Sequence, residues 1–294
     1  MSAAAEAVSS GKGHRDENFP VASWLIAPHH RPIILAFYRF VRAADDVADH
    51  ASLPPEEKLA LLDRLERSLL GRDDSEPAGV ALRDALMLRR LPPRHALDLL
   101  SAFRLDVTKH RYVDWDDLMD YCAFSAMPVG RFVLDVHGEA RSTWPANDAL
   151  CAALQVINHL QDCGKDYRDL DRVYIPGDAF AAAGSSPEAL AASHASPALL
   201  ACIRGLAART AVLLEEAAPF ALQIADRRLA LEVSVIHRLA ARLTAGLAQR
   251  DPLSERVHLS GFESAPLALL AMGQTLLSRL IHRPAVKPVS GHRP

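Results

Sequence analysis

The chain has 294 residues, half of them apolar, and a net charge of −3 at pH 7. That length can fill one large core or two modest domains, and the charge balance excludes the strongly basic signature of a nucleic-acid binder. The four cysteines, Cys122, Cys151, Cys163 and Cys202, have no CxxC spacing, so they read as reduced, buried thiols and not as a disulfide framework or a zinc site.

Residues 1–14 lack the apolar stretch of a signal peptide and read as a disordered lead; 283–294 read as a disordered tail. Between them, residues 15–282 are expected to form one all-α domain, with helices around a central core or cavity. Helical periodicity dominates and β-branched alternation is scarce. The expected helices cover about 16–27, 32–50, 55–70, 78–90, 94–109, 115–138, 147–167, 186–195, 197–217, 222–249 and 265–282. Pro32 suits the first turn of its helix, and the LPPEEK and LPPRH stretches each end one helix and start another. SSPE at 185–188 has the pattern of a capping box. No apolar run approaches the ~20 residues needed to span a bilayer. LALLAMGQTLL, the longest, is interrupted by Gly273 and Gln274.

The helix over 32–50 carries an oddity. It is greasy, yet it ends in Asp45, Asp46 and Asp49. Carboxylates at a helix C-terminus oppose the helix dipole, and like charges at i,i+4 repel. Tyr38, Arg42, Asp45 and Asp49 follow steps of four, three and four, so they share one face; Asp46 lies about 100° away and reads as a supporting or solvated group. A second stripe follows in LQVINHLQDCGKDYRDLDRVYIP, where Gln155, Asn158, Asp162, Asp166 and Asp169 step by three, four, four and three. Each stripe has two carboxylates at i,i+4 with a hydrogen-bonding or cationic residue a turn earlier.

Magnesium prefers oxygen ligands, takes one or two carboxylates, and completes its shell with water and phosphate. Two facing Asp pairs suit Mg²⁺ ions that grip a diphosphate and make it a leaving group. Arg42 and Lys165 would add cationic contacts to the same anion. A solvated Asp-rich helix end is the bland alternative for either stripe alone; two stripes of one form, both in apolar helices, favour the cage. The HD-type phosphohydrolases need an adjacent His-Asp pair, which the sequence lacks.

With these motifs in view, the sequence resembles the squalene/phytoene synthase family of head-to-head prenyl synthases. FYRFVRAADDVAD is similar to the family's first motif, Y-x-x-x-R-x-x-D-D-x-x-D. QVINHLQDCGKDYRDLDRVYIP is similar to its second, Q-x-x-N-x-x-R-D-x-x-E-D followed by an aromatic-x-P. YCAFSAMPVG resembles Y-C-x-x-x-A-G-T-V-G, and ENFPVASWLIAP resembles an N-terminal segment that helps enclose substrate. The likeness runs from about residue 14 to 282. It implies an isoprenoid-synthase-type bundle with Asp45, Asp49, Asp162 and Asp166 as metal-binding residues, and with these four and Arg42 as the catalytic residues. About two or three Mg²⁺ ions would act with the diphosphate, and no NADPH is expected. Phe19, Tyr38, Tyr121, Ser125, Val129, Gln155, Asn158, Lys165 and Arg256 are the expected substrate-binding residues. Phe19, Phe37 and Phe40 read first as core, with shielding of a carbocation as a second role. His159 reads as a buried, hydrogen-bonded side chain and not as a base.

The departures are specific. Gln161 stands for the family's Arg, Lys165 for its Glu, and Pro128 for a Thr inside a helix, where it should kink the chain. The family's C-terminal Tyr has only His237 and Arg256 near its place. The closest likeness is to a bacterial branch in hopanoid biosynthesis that converts presqualene diphosphate and water to hydroxysqualene. Phytoene, squalene or presqualene diphosphate synthesis stays open as an alternative, as does a non-catalytic assembly or binding role, although such a protein would be expected to lose its aspartates. A cytoplasmic location is expected, with peripheral contact at the inner face of the membrane or with neighbouring pathway enzymes left open; the sequence has no basic amphipathic face to act as an anchor.

Overall fold

The computed structural model describes residues 25–281. Among these residues every extended element is a helix, and the sole β-type pairing is an isolated parallel bridge between Arg111 and Val173. In chain order the α-helices of seven residues or more are α1 (Arg31–Ala48), α2 (Pro55–Leu69), α3 (Pro77–Arg89), α4 (Arg94–Thr108), α5 (Trp115–Ser125), α6 (Met127–His137) and α7 (Trp144–Leu170). They continue with α8 (Gly177–Ala183), α9 (Pro197–Ala217), α10 (Arg227–Leu247) and α11 (Gly261–Ile281). Proline stands at the first or second position of α1, α2, α3, α6, α7 and α9. Its fixed φ suits a helix start, and the N–H it lacks would have had no partner there. Side-chain caps start others: Asp114 accepts from the Asp117 N–H, and Asp226 accepts from those of Arg228 and Leu229.

Several expectations change. The helix expected over 115–138 is two helices, broken at Ala126 (φ −115°) just before Pro128. The ring has no N–H to give to the fourth residue back, so the ladder stops there. Residues 186–195 form only a 3₁₀ turn, Pro187–Ala191, and the Ser185 hydroxyl makes no hydrogen bond with any described residue, so the capping box does not form. The short helix α8 was not expected. Of the helix expected at 16–27, only 25–27 lie within the described residues, and they are not helical. The expected lead and tail, and Phe19, lie outside the described residues.

Two groups of buried side chains give the fold its body. One comprises Ile34, Phe37 and Phe40 of α1 with residues of α2, α3 and α4, closed by Phe132 and Val136 of α6. The other is built around α7, α9 and α10, from Val156, Ile157, Leu206, Leu214 and Leu243 among others. Segments from both line a cavity of about 550 Å³.

The membrane expectation needs correction. Two helical stretches are long and apolar enough to cross a bilayer by length and composition: Pro197–Gln223, with mean hydropathy 1.5, and Gly261–Ile281, with 1.2. Gly273 and Gln274 do not break α11, because an interior Gly costs a helix only about 1 kcal/mol and Gln is a good helix former. The apolarity of α9 belongs to the core, where Leu199, Cys202, Ile203 and Leu206 are buried. That of α11 faces outward: Phe262 is 96% exposed and Leu280 79%.

Candidate active site

The cavity runs along α1. Ile34 and Phe37 line it towards the start of that helix, then Tyr38, Val41 and Arg42, and finally Asp45 and Asp49. Opposite stand Leu150, Cys151, Leu154, Gln155, Asn158, His159 and Asp166 of α7. The first polar stripe therefore lines the cavity as a unit: Tyr38, Arg42, Asp45 and Asp49 all take part. The second does so in part, through Gln155, Asn158 and Asp166. Tyr121, Ser125 and Val129 add the wall from α5 and α6. Phe37 lines the cavity and stacks on Phe132, with ring centroids 3.8 Å apart, whereas Phe40 is fully buried in the core.

The carboxylates at the end of α1 already have cationic neighbours. Arg42 reaches Asp45 and Asp46, each at 2.7 Å, so the expected anion-binding arginine is tied to its own helix. Asp46 is thereby a supporting group and not part of the cavity wall. Arg172 bridges the two stripes. Its Nη1 donates to Asp49 Oδ1 at 2.5 Å, its Nη2 to the Ala48 carbonyl at 2.9 Å, and its Nε to the Asp106 carbonyl at 2.9 Å. Lys58 Nζ also donates to the Ala48 carbonyl. These cations sit where the helix dipole of α1 is negative, which eases the Asp row.

Local backbone explains how Arg172 arrives there. Helix α7 ends at Leu170, and Asp171 adopts a left-handed conformation (φ 50°) that turns the chain back. Such a φ is uncommon outside Gly, and Asp and Asn tolerate it best. The Val173 N–H then donates to the His110 carbonyl and the Gly177 N–H to that of Tyr112. This brings Arg172 and Tyr174 against the end of α4.

A buried acid sits beneath them. The Tyr121 hydroxyl donates to Asp106 Oδ2 at 2.9 Å, and the Tyr174 hydroxyl donates to Oδ1 at 2.8 Å. Burial pushes the Asp106 carboxyl up to about 6, against the pull of Arg172 and both hydroxyls. His159 stacks flat on Tyr174, with centroids 3.5 Å apart. Sequence reasoning missed Asp106, Arg172 and Tyr174. Arg172 and Tyr174 lay inside the second quoted motif, but their partners come from other elements.

Two of the four carboxylates expected to hold metal, Asp45 and Asp166, stand well above the usual carboxylate range. Burial and then Asp49 push the Asp45 carboxyl up to about 7. Burial, Asp162 and then Asp49 push Asp166 up to about 7, while Lys165 and Arg172 oppose the rise. That Asp49 of α1 acts on Asp166 of α7 means the two stripes converge. Among the described residues no group of three His, Cys, Asp or Glu side chains comes together to hold a metal unaided. The set fits Mg²⁺, which needs only one or two carboxylates when phosphate and water complete its shell.

Three expected residues stand elsewhere. Asp162 and Lys165 are exposed and form no part of the cavity wall, although Asp162 lies between Asn158 and Asp166 on one face of α7. Arg256 is exposed in the loop after α10, where its carbonyl accepts from Arg250. Gln161, in the place of the family's Arg, is buried and donates to the Val257 carbonyl. It pins that loop to α7.

The comparisons agree with this geometry. The family model described as squalene/phytoene synthase matches residues 13–263. The chain is 59% identical over 279 residues to a hydroxysqualene synthase of Rhodopseudomonas palustris, covering 95% of each protein. It is 58% identical to a hydroxysqualene synthase of Sinorhizobium fredii, covering 90% of this chain and 91% of that one. A crystal structure of a squalene synthase from Alicyclobacillus acidocaldarius superimposes with a TM-score of 0.70 at 30% identity, covering 83% of this chain and 91% of the other.

Proposed function

The chain belongs to the squalene/phytoene synthase family, and from that premise we propose that this enzyme converts presqualene diphosphate and water to hydroxysqualene and diphosphate, as a step of hopanoid biosynthesis. The observation that carries the reading is the convergence of Asp45, Asp49 and Asp166 at one end of an otherwise largely apolar cavity. A diphosphate at that end leaves the hydrocarbon in the apolar part. Asp45, Asp49, Asp162 and Asp166 would hold Mg²⁺. The metal, when bound, supplies positive charge that stabilises the departing diphosphate.

The protein's own part is to orient and to exclude. Arg172 keeps Asp49 facing the cavity through Oδ1 and leaves Oδ2 for a further ligand. Phe37, Leu150, Leu154 and Val233 keep bulk water from the hydrocarbon. Tyr121 and Tyr174 line the cavity close to the polar end, where a carbocation would form and where a ring face turned to it would stabilise the charge. Both hydroxyls are held far above their ordinary acidity range, chiefly by burial, so they stay protonated.

We further place the enzyme in the cytoplasm, in peripheral contact with a lipid surface. The support is the outward row Phe262, Leu269, Leu276 and Leu280 on α11, which packs against α10; that helix lines the cavity through Leu229, Val233 and Ile236. The decisive experiment incubates the pure protein with presqualene diphosphate, or with farnesyl diphosphate, in ¹⁸O-labelled water, with and without NADPH. Labelled hydroxysqualene from presqualene diphosphate alone supports the reading. Squalene formed only with NADPH, or phytoene-type products, would move the enzyme to another branch of its family.

A further inference from the structure

We propose that Ser125, Gln155 and His159 form a water-holding patch in the cavity wall, and that this patch places the water that captures the carbocation. The inference deepens the reading above and rests on it. Its first support is an orphaned group: Ser125 Oγ is buried, belongs to a cavity-lining residue, and makes no hydrogen bond with any described residue. Buried hydroxyls are nearly always matched by protein or by water.

The second support is the setting of His159. Its Nε2 lies 3.0 Å from Gln155 Nε2, and the amide N–H donates there. A neutral ring that accepts at Nε2 carries its proton at Nδ1. Nδ1 makes no hydrogen bond with any described residue, so this donor remains for a water. Stacking on Tyr174, at an interplanar angle of 13°, fixes the direction in which it points. Burial, and next to it Arg172, lowers the His159 basicity to about 3, so the ring stays neutral beside a cation.

Register brings the three together. The Tyr121 and His159 rings lie 6.0 Å apart, and a Cβ on Gly130 would strike Asn147 and Cys151. The α5–α6 segment therefore runs antiparallel to α7. Ser125, one turn beyond Tyr121, and Gln155, one turn before His159, fall at a common level. A water there has the Nδ1–H as donor and the Ser125 hydroxyl as acceptor, the minimum of the two to four partners that hold buried waters, while Gln155 fixes the tautomer through its bond to Nε2. The neighbouring tyrosines and arginine are committed elsewhere: Tyr121 and Tyr174 to Asp106, and Arg172 to Asp49 and two carbonyls. Neutral dipoles suit the task, because a carboxylate at the same place would itself bond to the cation.

The step balances. The substrate carbon–oxygen bond breaks and its electron pair leaves with the diphosphate. The rearranged cation takes a lone pair from the water oxygen, forming the new carbon–oxygen bond. The resulting oxonium gives its extra proton to a diphosphate oxygen freed by the ionisation.

The test is product partition in Ser125→Val, His159→Leu and His159→Asn, with presqualene diphosphate and Mg²⁺. Diphosphate release and the share of product that is hydroxysqualene are measured together. Partition is a property of each turnover, so a poorly folding variant does not distort it. We expect that, per diphosphate released, the hydroxysqualene share falls at least about tenfold in Ser125→Val and His159→Leu, towards hydrocarbons formed by proton loss and isomeric alcohols. His159→Asn, whose amide N–H can replace Nδ1–H, should keep more than about half of the wild-type share. An unchanged share in Ser125→Val, the smallest alteration, would overturn the proposal. So would His159→Asn failing as fully as His159→Leu, since that marks a packing role. A wild-type enzyme that makes no hydroxysqualene would instead sink the underlying reading, and shows this before any variant is examined.

Discussion

At Lys165 the charge change relative to the family motif meets an exposed side chain. Lys165 acts on Asp166 only through space, where it opposes the upward push on that carboxyl. Lys165→Glu should raise Asp166 further and so weaken metal binding. Salt and solvent screen an exposed charge, so the Mg²⁺ requirement should rise by less than about threefold at physiological ionic strength. A rise of tenfold or more in a Mg²⁺ titration of the variant would mean that Lys165 touches the bound anion. His159 supplies a cleaner titration. Its folded value, about 3, lies below the ordinary 6.5, so the unfolded chain takes up the proton first as pH falls. The stability tied to the neutral ring is complete above pH 6.5 and is lost as pH falls from 6.5 towards 3. At pH 5 the loss is about 2 kcal/mol, from 1.36 kcal/mol per pH unit. Denaturant melts at pH 7 and pH 5 should show a smaller loss in His159→Asn than in the wild type; equal losses would mean that the ring protonates freely in the fold. These two residues also mark what the sequence discloses at this scale. Steps of three and four were enough to find the Asp45 and Asp166 stripes, because neighbours on one helix face follow from spacing. Arg172 on Asp49 joins residues 123 apart, and Tyr121 on Asp106 joins two helices, and no local spacing encodes either pair.

Elements were legible where punctuation is chemical. Pro55, Pro77 and Pro197 stand in the first turns of their helices, and the break before Pro128 lies where a missing N–H requires one. The misreadings have the same root. SSPE has a capping pattern, but five residues of 3₁₀ turn follow in place of a helix, and the stretch around Gly273 and Gln274 is apolar enough overall to pass for a spanning helix. Local rules give preferences of about 1 kcal/mol, which packing overrides. Gly130 shows packing in control. A Cβ built there would lie 1.9 Å from Asn147 Oδ1 and 2.7 Å from Cys151 Sγ, so α6 and α7 meet closer than any side chain permits. Gly130→Ala must part the two helices or turn Asn147, which donates to the Met127 carbonyl. We expect a loss of about 1–3 kcal/mol, as for overpacked cores, and a melting temperature several degrees lower. Because the same contact lines the cavity, KM for presqualene diphosphate should rise as well. Wild-type melting in this variant would show that α6 adjusts without strain.

Across the whole molecule, a cavity joins two buried groups and an apolar helix faces outward beside it. If α11 meets lipid, Leu269→Glu with Leu276→Glu should cut the fraction that floats with phospholipid vesicles at least about fivefold, because burial of apolar area drives interfacial binding. Turnover of detergent-dispersed substrate should stay within about twofold, since neither side chain lines the cavity. Unchanged flotation would remove α11 from the membrane account. The cage gives a second test at this scale. Asp45 and Asp49 belong to the helix packed on α2 to α4, and Asp162 and Asp166 to the helix packed on α9 and α10. Among the described residues Arg172 on Asp49 is the direct side-chain tie between these carboxylate ends. A ligand held by both pairs should brace the fold, since anything that binds the folded state alone stabilises it by RT ln(1 + [L]/Kd), about 2.7 kcal/mol at a hundredfold excess over Kd. Mg²⁺ alone meets two pairs of mutually repelling carboxylates, and inorganic diphosphate alone meets their negative charge. Together they complete each other's shells. Melting temperature should therefore rise by several degrees with Mg²⁺ plus diphosphate, by more than the sum of the two separate effects. Asp45→Asn and Asp166→Asn should each abolish the excess while melting normally without ligand, because each removes one wall of the cage and relieves a buried repulsion. If Asp166→Asn kept the full excess, the diphosphate would be held by the α1 pair alone, and the convergence of the two stripes would have no part in binding it.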